Sequence, residues 1–208
     1  MARIYVDYPS ISLKQEDLKG KIDYSQIFGR SGPIHIEIGS GKGTFLVKQA
    51  QAHPGDNFLG IEYASRFYRY AVDRIGRWNL KNVRVILTDA AFFIPEFIAE
   101  NSVDCFHIYF PDPWPKRRHI RRRFICDSNL EILISRLKPS GQIRAATDHA
   151  GYFEQMKTVF GHAHEKLEEI DFLPASGAEA GEWVGTNFER KYKKEQRPIY
   201  TIALRKKD

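Results

Sequence analysis

Short apolar segments alternate with amphipathic segments along most of this 208-residue chain. The first apolar segment, residues 34–38, leads into a glycine-rich turn and then into a helical pattern over residues 44–53. Parallel strands need long crossover connections, which are usually helices. The alternation therefore predicts an open α/β sheet that is mostly parallel and covered by helices on both faces.

We expect seven strands, at residues 34–38, 57–61, 83–87, 103–109, 142–146, 167–172 and 198–204. Helices are predicted at residues 44–53, 65–76, 92–98, 122–137 and 150–160. A Gly/Ala-rich loop joins the last two strands without an obvious helical crossover, which favours an antiparallel edge. We interpret residues 33–208 as a single domain and residues 1–32 as an N-terminal arm or cover.

The basic character of the chain is concentrated in one segment. The net charge of +6 comes from 32 Lys and Arg against 26 Asp and Glu. Residues 116–123, hereafter the cationic run, hold six of these cations and no acid; without them the two charges balance at 26 each. A focused basic patch of this kind, next to aromatic residues, indicates a nucleic-acid partner.

Other composition features narrow the class of protein. The two cysteines, Cys105 and Cys126, have no metal-type spacing, and no metal-ligand cluster stands out, so we expect no metal. The first residues lack the apolar core of a signal peptide. No apolar run approaches the ~20 residues that span a bilayer. We expect a soluble cytoplasmic protein with no membrane contact, and both a monomer and a homodimer remain open.

An acid follows almost every predicted parallel strand. In open α/β sheets the ligand lies beyond the carboxyl ends of the strands, so these side chains should converge. Each one alone could cap a helix, but five in the same register favour a binding site. These strand-end acids are Glu37, Glu62, Asp89, Asp112 and Asp148.

The glycine turn at residues 39–43 has the pattern G-x-G-x-G. It departs from the dinucleotide fingerprint, which wants a glycine at Thr44, and from the P-loop. Glu62 can accept ribose hydroxyls, and Asp89 lies where an adenine amino group could be held. Because only Lys42 is placed to bind a pyrophosphate, the acids favour the cationic S-adenosylmethionine over a nicotinamide dinucleotide.

A single carboxylate lies between two prolines just before the cationic run. Asp112 is flanked by Pro111 and Pro113, and beyond them by Phe110 and Trp114. Proline fixes its own φ and restricts the residue before it, so this carboxylate should stand on a stiff backbone. The segment predicts a site that holds one small group for chemistry while a polyanion lies alongside.

The chain resembles the bacterial tRNA (guanine-N7)-methyltransferases over about residues 34–204. The glycine turn, T-D-A at residues 88–90, Y-F-P-D-P-W-P-K at residues 109–116, T-D at residues 147–148 and T-N-F-E at residues 186–189 carry the resemblance. It implies a Rossmann-like class I methyltransferase fold. The implied activity is transfer of a methyl group from S-adenosylmethionine to N7 of guanine 46 in the tRNA variable loop.

The resemblance also assigns roles to residues, with Asp112 as the catalytic residue. The implied cofactor-binding residues are Glu37, Gly39, Gly41, Glu62, Asp89 and Asp112. The implied substrate-binding residues are Lys116, Asp148, Thr186, Asn187, Phe188 and Glu189. The implied tRNA contacts are Arg117, Arg118, His119, Arg121, Arg122 and Arg123. One departure is Gln196, where the family often has glycine, which puts the shape of that loop in doubt.

Guanine N7 has a lone pair and no proton, so methyl transfer to it needs no general base. A carboxylate can accept hydrogen bonds from guanine N1–H and its amino group, which adenine cannot match. We therefore expect Asp112 to recognise and orient guanine. Within the cationic run, Arg122 and Arg123 could instead lie on a helix and pair with Asp127 or Glu131.

Two other functions remain possible from the sequence. A methyltransferase that acts on an exocyclic amine of adenine or cytosine would resemble this sequence up to the fourth predicted strand. Those enzymes then carry [D/N]-P-P-aromatic, whereas the order here is P-D-P-W at residues 111–114. A non-catalytic RNA-binding module is the other possibility, although phosphate binding alone would not favour five strand-end acids.

Overall fold

A computed structural model describes residues 5–208. Eight strands form one sheet in the order β1-β4-β3-β2-β5-β6-β8-β7. The strands are β1 (Ser12–Leu13), β2 (Ile34–Ile38), β3 (Asn57–Glu62), β4 (Val83–Leu87), β5 (Val103–Tyr109), β6 (Leu137–Thr147), β7 (Leu167–Ile170) and β8 (Tyr200–Lys206). The first six pair in parallel, and β8 is antiparallel to both β6 and β7. The predicted mostly parallel sheet with an antiparallel edge is confirmed, with β1 as an additional strand.

Within residues 5–208, seven α-helices connect or flank the strands. They are α1 (Tyr24–Phe28), α2 (Thr44–Ala52), α3 (Ser65–Arg77), α4 (Ala90–Phe97), α5 (Asp127–Arg136), α6 (Ala150–His162) and α7 (Asn187–Lys194). None of the helices among residues 5–208 is long and apolar enough to cross a bilayer.

The sheet separates two hydrophobic cores because side chains alternate between its faces. On one face, α4, α5 and α6 pack over Ile34, Ile36 and Ile38 of β2 and their neighbours. On the other face, α2 and α3 cover Phe58 of β3 and the adjacent strand β4. A third, smaller cluster on β5 and β6 lies under the segment that follows β7.

Two helix predictions were wrong, one in its bounds and one in expecting no helix. The helix expected at residues 122–137 begins at Asp127, and residues 117–122 form a separate 3-10 helix. Arg123 interrupts the two because its side chain is bound elsewhere and its backbone is extended, with ψ 134°. The connection between β7 and β8 was expected to lack a helix, yet it contains α7.

The N-terminal residues pack on the sheet. Backbone N–H of Val85 donates to the carbonyl of Ile11, and Ser12 and Leu13 continue this edge as β1. The Ile11 side chain is buried with α2 and α3, while Ile22 joins the core on the other face. The domain boundary at residue 33 stays a prediction.

Candidate active site

Four strand-end acids line one cleft at the carboxyl ends of the parallel strands. Glu62, Asp89 and Asp112 line a cavity of about 370 Å³. Glu37 lines an adjoining cavity of about 330 Å³, which shares the glycine turn and Phe188 with the first. We refer to the two cavities together as the cleft. The predicted convergence of Glu62, Asp89 and Asp112 is confirmed.

The cleft lies where the strand order reverses. From β2, the chain builds outward to β3 and β4, and it then returns to place β5 on the other side of β2. Diverging connections above such a point leave a crevice in open α/β sheets. The glycine turn and the Pro-Asp-Pro turn follow β2 and β5, so the two motifs face each other across this crevice.

The glycine turn is tied to the end of β3. The Gly39 N–H donates to the Ile61 carbonyl at 2.8 Å, and the Gly41 N–H donates to Glu62 Oε2 at 2.7 Å. Gly43 has a φ of 67°, and a Cβ there would lie 3.1 Å from the Ala71 Cβ. The glycine therefore permits both the left-handed turn and the close packing of α2 on α3.

Glu62 is held as a fixed acceptor at the cleft. Its Oε1 accepts the Ala64 N–H at 2.8 Å, and its Oε2 accepts the Gly41 N–H. Each carboxylate oxygen retains a further lone pair for a ligand hydroxyl. This orientation is compatible with the predicted contact to a ribose.

Glu37 is a buried carboxyl without a complete set of partners. Its exposed fraction is 3%, and no described residue hydrogen-bonds to Oε2. Burial, and then the nearby Glu62, raise the pKa of Glu37 well above its usual value. A buried acid in this state is stabilised by a cationic group. The ammonium of S-adenosylmethionine fits this requirement.

The Asp89 carboxylate can cap a helix and also bind a ligand. Its Oδ1 accepts the Ala91 N–H at 2.8 Å and so caps the N-terminus of α4. The same side chain lines the cleft. The capping interpretation and the binding interpretation are therefore compatible, because the carboxylate has a second oxygen.

Asp112 is exposed to solvent at the cleft, and no described residue forms a hydrogen bond or ion pair with its carboxylate. The backbone around it is strained. Phe110 has a φ of 53° and Trp114 a φ of 40°, and both directly precede a proline. Left-handed φ values are rare for bulky residues and persist only where the surroundings impose them. The predicted stiffness of this turn thus has a physical basis, although the left-handed φ values were not predicted.

The cationic run presents its charge outward. Residues 117–122 form the 3-10 helix, and their basic side chains form no ion pair with an acid among residues 5–208. Lys116 is likewise exposed. The Arg122 guanidinium lies over the Trp114 ring at 5.1 Å, and His119 meets the edge of that ring. Trp114 is thereby packed between the turn and the run.

The family model described as "Putative methyltransferase" matches residues 31–202. A tRNA (guanine-N(7)-)-methyltransferase of Streptococcus thermophilus is 35% identical over 95% of this chain and 91% of its own length. One from Burkholderia lata is 37% identical over 89% of this chain and 71% of its own length.

The chain belongs to the tRNA (guanine-N(7)-)-methyltransferase family. Its cofactor is S-adenosylmethionine. The fold also resembles a 30S ribosomal A1408 methyltransferase from an uncultured bacterium, with a TM-score of 0.59 and 17% identity. That match covers 89% of this chain and 95% of the other.

Arg123 was expected to contact tRNA, and the structure contradicts this expectation. Arg123 is buried, and its guanidinium donates to Pro113 O at 2.7 Å, to Gln155 Oε1 at 2.6 Å and to Gly151 O. It also lies over the Tyr152 ring at 4.7 Å. Arg123 therefore fastens the Pro-Asp-Pro turn to α6 and is not placed to contact a phosphate.

The alternative partners considered for Arg122 and Arg123 are also occupied elsewhere. Asp127 pairs with His162 at 2.8 Å, and Glu131 pairs with Lys166 at 2.5 Å. The alternative of ion pairs along one helix does not apply, because the arginines precede α5 and do not lie on it.

Among the T-N-F-E residues, Glu189 is corrected as well. Its exposed fraction is 0%, and its carboxylate accepts the N–H groups of Trp183, Val184 and Gly185 at 2.6–3.0 Å. Thr186 caps α7 by accepting the Glu189 N–H at 3.1 Å. This pair is a structural device that orders the preceding loop. The T-x-x-E pattern before a helix was a readable capping signal in the sequence.

Thr186 also reaches the cleft, as do the other two residues of this segment. Asn187 donates from Nδ2 to Thr44 Oγ1 at 2.8 Å, and both Asn187 and Phe188 line the cavity that contains Glu37. Phe188 also lines the cavity that contains Asp112. Its ring thus borders both halves of the cleft.

Asp148 is the one strand-end acid that lies apart from the cavity linings. Its Oδ2 accepts from Arg197 Nη1 at 2.6 Å, and Arg197 also pairs with Glu195 at 2.8 Å. The ion pair joins the end of β6 to the segment after α7. Gln196, which lies between Glu195 and Arg197 in the sequence, has a φ of 55°. Glycine adopts such left-handed φ values without strain, which explains why it suits this position.

Proposed function

We propose that this protein transfers a methyl group from S-adenosylmethionine to N7 of guanine 46 in the tRNA variable loop, in the cytoplasm. The observation that carries the proposal is the exposed, unpartnered carboxylate of Asp112 in the same cleft as Glu62 and the incompletely partnered Glu37. Family membership supports the reaction, and the cleft supports the assignment of roles.

Asp112 selects and orients the base. Its two oxygens accept hydrogen bonds from guanine N1–H and the exocyclic amine, an arrangement that adenine does not offer. The same negative charge stabilises the positive charge that develops on the purine during transfer. Guanine N7 carries no proton, so no side chain acts as a base. The strained backbone at Phe110 and Trp114 limits the positions that this carboxylate can take.

The methyl donor supplies an electrophilic carbon on a sulfonium. Glu62 accepts its ribose hydroxyls, and Asp89 lies at the adenine side of the cleft. Glu37 pairs with its amino group, beside Gly39 and Gly41 of the glycine turn. These assignments follow the order of the strands and the chemistry of each acid.

The tRNA backbone contacts the outward side of the cationic run. The cations available for phosphate are Lys116, Arg117, Arg118, Arg121 and Arg122, with His119 beside them. Phosphate contacts fix register and carry no sequence information, so selectivity for guanine is left to the cleft. With about four phosphates engaged, binding should weaken with salt at a log–log slope of about −3 to −4.

The test is methyl transfer from labelled S-adenosylmethionine to total tRNA, followed by nucleoside analysis and by borohydride–aniline cleavage. We expect label in 7-methylguanosine and cleavage at position 46. Label in an exocyclic amine of adenosine or cytidine would overturn the proposed reaction. Absence of transfer together with absence of S-adenosylmethionine binding by calorimetry would favour an RNA-binding module.

A further inference from the structure

Three side chains with metal-ligating atoms meet on β2 and β5, the two central strands that also lead into the cleft. Cys105 and His107 are two residues apart on β5 and therefore point to the same face. His35 of β2 is directly paired with Cys105 in the parallel register. The three ligand atoms lie within 4.8 Å of one another. Central strands hold them, so the backbone beneath the group is rigid.

The two imidazoles point their inner nitrogens at each other and bind partners with their outer nitrogens. His35 Nδ1 lies 3.0 Å from His107 Nε2. On the outer side, His35 Nε2 lies 3.5 Å from Asp56 Oδ2, and His107 Nδ1 lies 2.8 Å from the Tyr109 hydroxyl. Metal-binding histidines typically engage such second partners, and a carboxylate is a common one.

Space for a further ligand adjoins the group. His35, Cys105 and His107 all line a cavity of about 490 Å³ bordered by residues 173–176. A site with three protein ligands keeps one position for water or a small molecule, whereas closed structural zinc sites have four protein ligands. The arrangement is therefore that of an accessible site.

We propose that His35, Cys105 and His107 bind a divalent transition metal, with zinc as the class that fits two imidazoles and a thiolate. The fourth position is reached from the adjoining cavity. None of the three ligands lines the cleft, whereas Tyr109, whose hydroxyl lies 2.8 Å from His107 Nδ1, lines both of its cavities.

Small side-chain movements complete the geometry. Zinc holds nitrogen at about 2.0–2.1 Å and sulfur at about 2.3 Å, so tetrahedral ligands lie roughly 3.4–3.7 Å apart. The two inner nitrogens must separate by a few tenths of an ångström, and the proton that one donates to the other must move to the outer nitrogen of its own ring. The Cys105 sulfur, now 4.0 Å from His107 Nδ1, must approach the inner nitrogens. We expect rotation about side-chain bonds to provide these movements.

Burial favours the neutral, metal-binding form of the two histidines and opposes the thiolate form of Cys105. Burial lowers the pKa of both histidines, which keeps their lone pairs available, and it raises the pKa of the Cys105 thiol to about 12. Binding forms a metal–sulfur bond while the thiol proton leaves to solvent, so affinity rises with pH. The other charged or titratable groups that act on the three ligands are His53, Asp56, Asp104, Lys138 and Arg144.

The experiment uses untagged, chelator-treated protein titrated with Co²⁺ and followed by absorption. We expect a thiolate-to-cobalt charge-transfer band that saturates near one equivalent and is reversed by Zn²⁺. Cys126→Ser, which changes the second free cysteine, should retain the band, and Cys105→Ser should abolish it. Asp56→Asn should weaken binding by about 10–100-fold, because it removes the charged partner of His35.

Two results would overturn the proposal. One is the absence of the charge-transfer band in the wild-type protein. The other is unchanged Co²⁺ affinity in Cys105→Ser, which would assign binding to other histidines. If Cys105→Ser does not fold by circular dichroism, His35→Gln retains the thiol and should still weaken binding by more than about tenfold.

Discussion

Two segments that border the cleft use their charged residues in opposite ways. At residues 110–122, the Asp112 carboxylate is exposed and has no bonded partner among the described residues. At residues 186–197, the Glu189 carboxylate is fully buried and accepts three backbone N–H groups. Both acids lie in motifs that carry the sequence resemblance, P-D-P at residues 111–113 and T-N-F-E at residues 186–189, yet one is free to bind a substrate and the other holds a loop.

The arginines of the two segments differ in the same way. Arg190 pairs with Glu179 and Glu182 at 2.6 Å, and Arg197 pairs with Asp148 and Glu195. The arginines of the 3-10 helix have no acidic partner among residues 5–208. A guanidinium that is already paired with carboxylates adds little to phosphate binding, so a count of cations along the chain overstates the contribution of Arg190 and Arg197.

The largest effect should come from the free carboxylate. Asp112→Asn should lower kcat by about 10²–10³-fold, because the amide carries no charge and offers a donor where guanine also donates. Affinity for S-adenosylmethionine and the Tm should stay near wild type, since no residue among 5–208 bonds to the carboxylate. Single-turnover kinetics with saturating tRNA, together with calorimetry, measure these quantities. A near-normal rate would remove Asp112 from guanine recognition.

The buried carboxylate should instead control stability. Glu189→Gln should lower the free energy of unfolding by about 2–3 kcal/mol, because a neutral amide replaces an ion that accepts three N–H groups. Urea denaturation provides the measurement. Glu195→Gln, at the end of the same helix, is the control and should cost well under half as much, since Glu195 forms only surface ion pairs. Equal losses would contradict the distinction between the two acids.

Neighbouring arginines provide a third comparison. Arg121→Ala should reduce the magnitude of the log–log salt slope for tRNA binding by about 1 and leave the Tm unchanged. Arg123→Ala should leave that slope unchanged and lower the free energy of unfolding by about 1–3 kcal/mol, because three partly buried hydrogen bonds are lost. Filter binding over a range of salt, paired with denaturation, separates the two. A change of the salt slope in Arg123→Ala would show that Arg123 does contact tRNA.

The smallest effect concerns the end of the second segment. Gln196→Gly should raise the free energy of unfolding by about 0.5–1 kcal/mol, since relief of the left-handed strain exceeds the added chain entropy. Gln51→Gly, at an exposed position of α2, is the control and should destabilise the protein. Scanning calorimetry gives both values. A loss of stability at Gln196 would mean that its side chain, and not its φ, dominates there.

Local sequence was sufficient for the central strands. The predicted bounds of β2, β4 and β5 match the structure, because each is an apolar run bounded by turn residues. The convergence of Glu62, Asp89 and Asp112 followed from the general position of ligands in such sheets. These are properties of short segments and of a known architecture.

Tertiary contacts account for what the sequence did not reveal. The late start of α5 depends on Arg123 reaching Pro113 and α6. The left-handed φ of Phe110 and Trp114 is imposed by surrounding packing. The meeting of His35 with Cys105 depends on which strands pair and in what register, which spacing along the chain does not disclose.

The two-residue strand β1 has a consequence for anyone who shortens this chain. It pairs with Val85 and Ile86 of β4, which would otherwise be the edge strand of the sheet. An exposed edge strand can pair with strands of other molecules, and natural proteins often protect such an edge with a very short strand. Variants that start after Leu13 should therefore be prone to self-association, so fusion partners belong ahead of this residue.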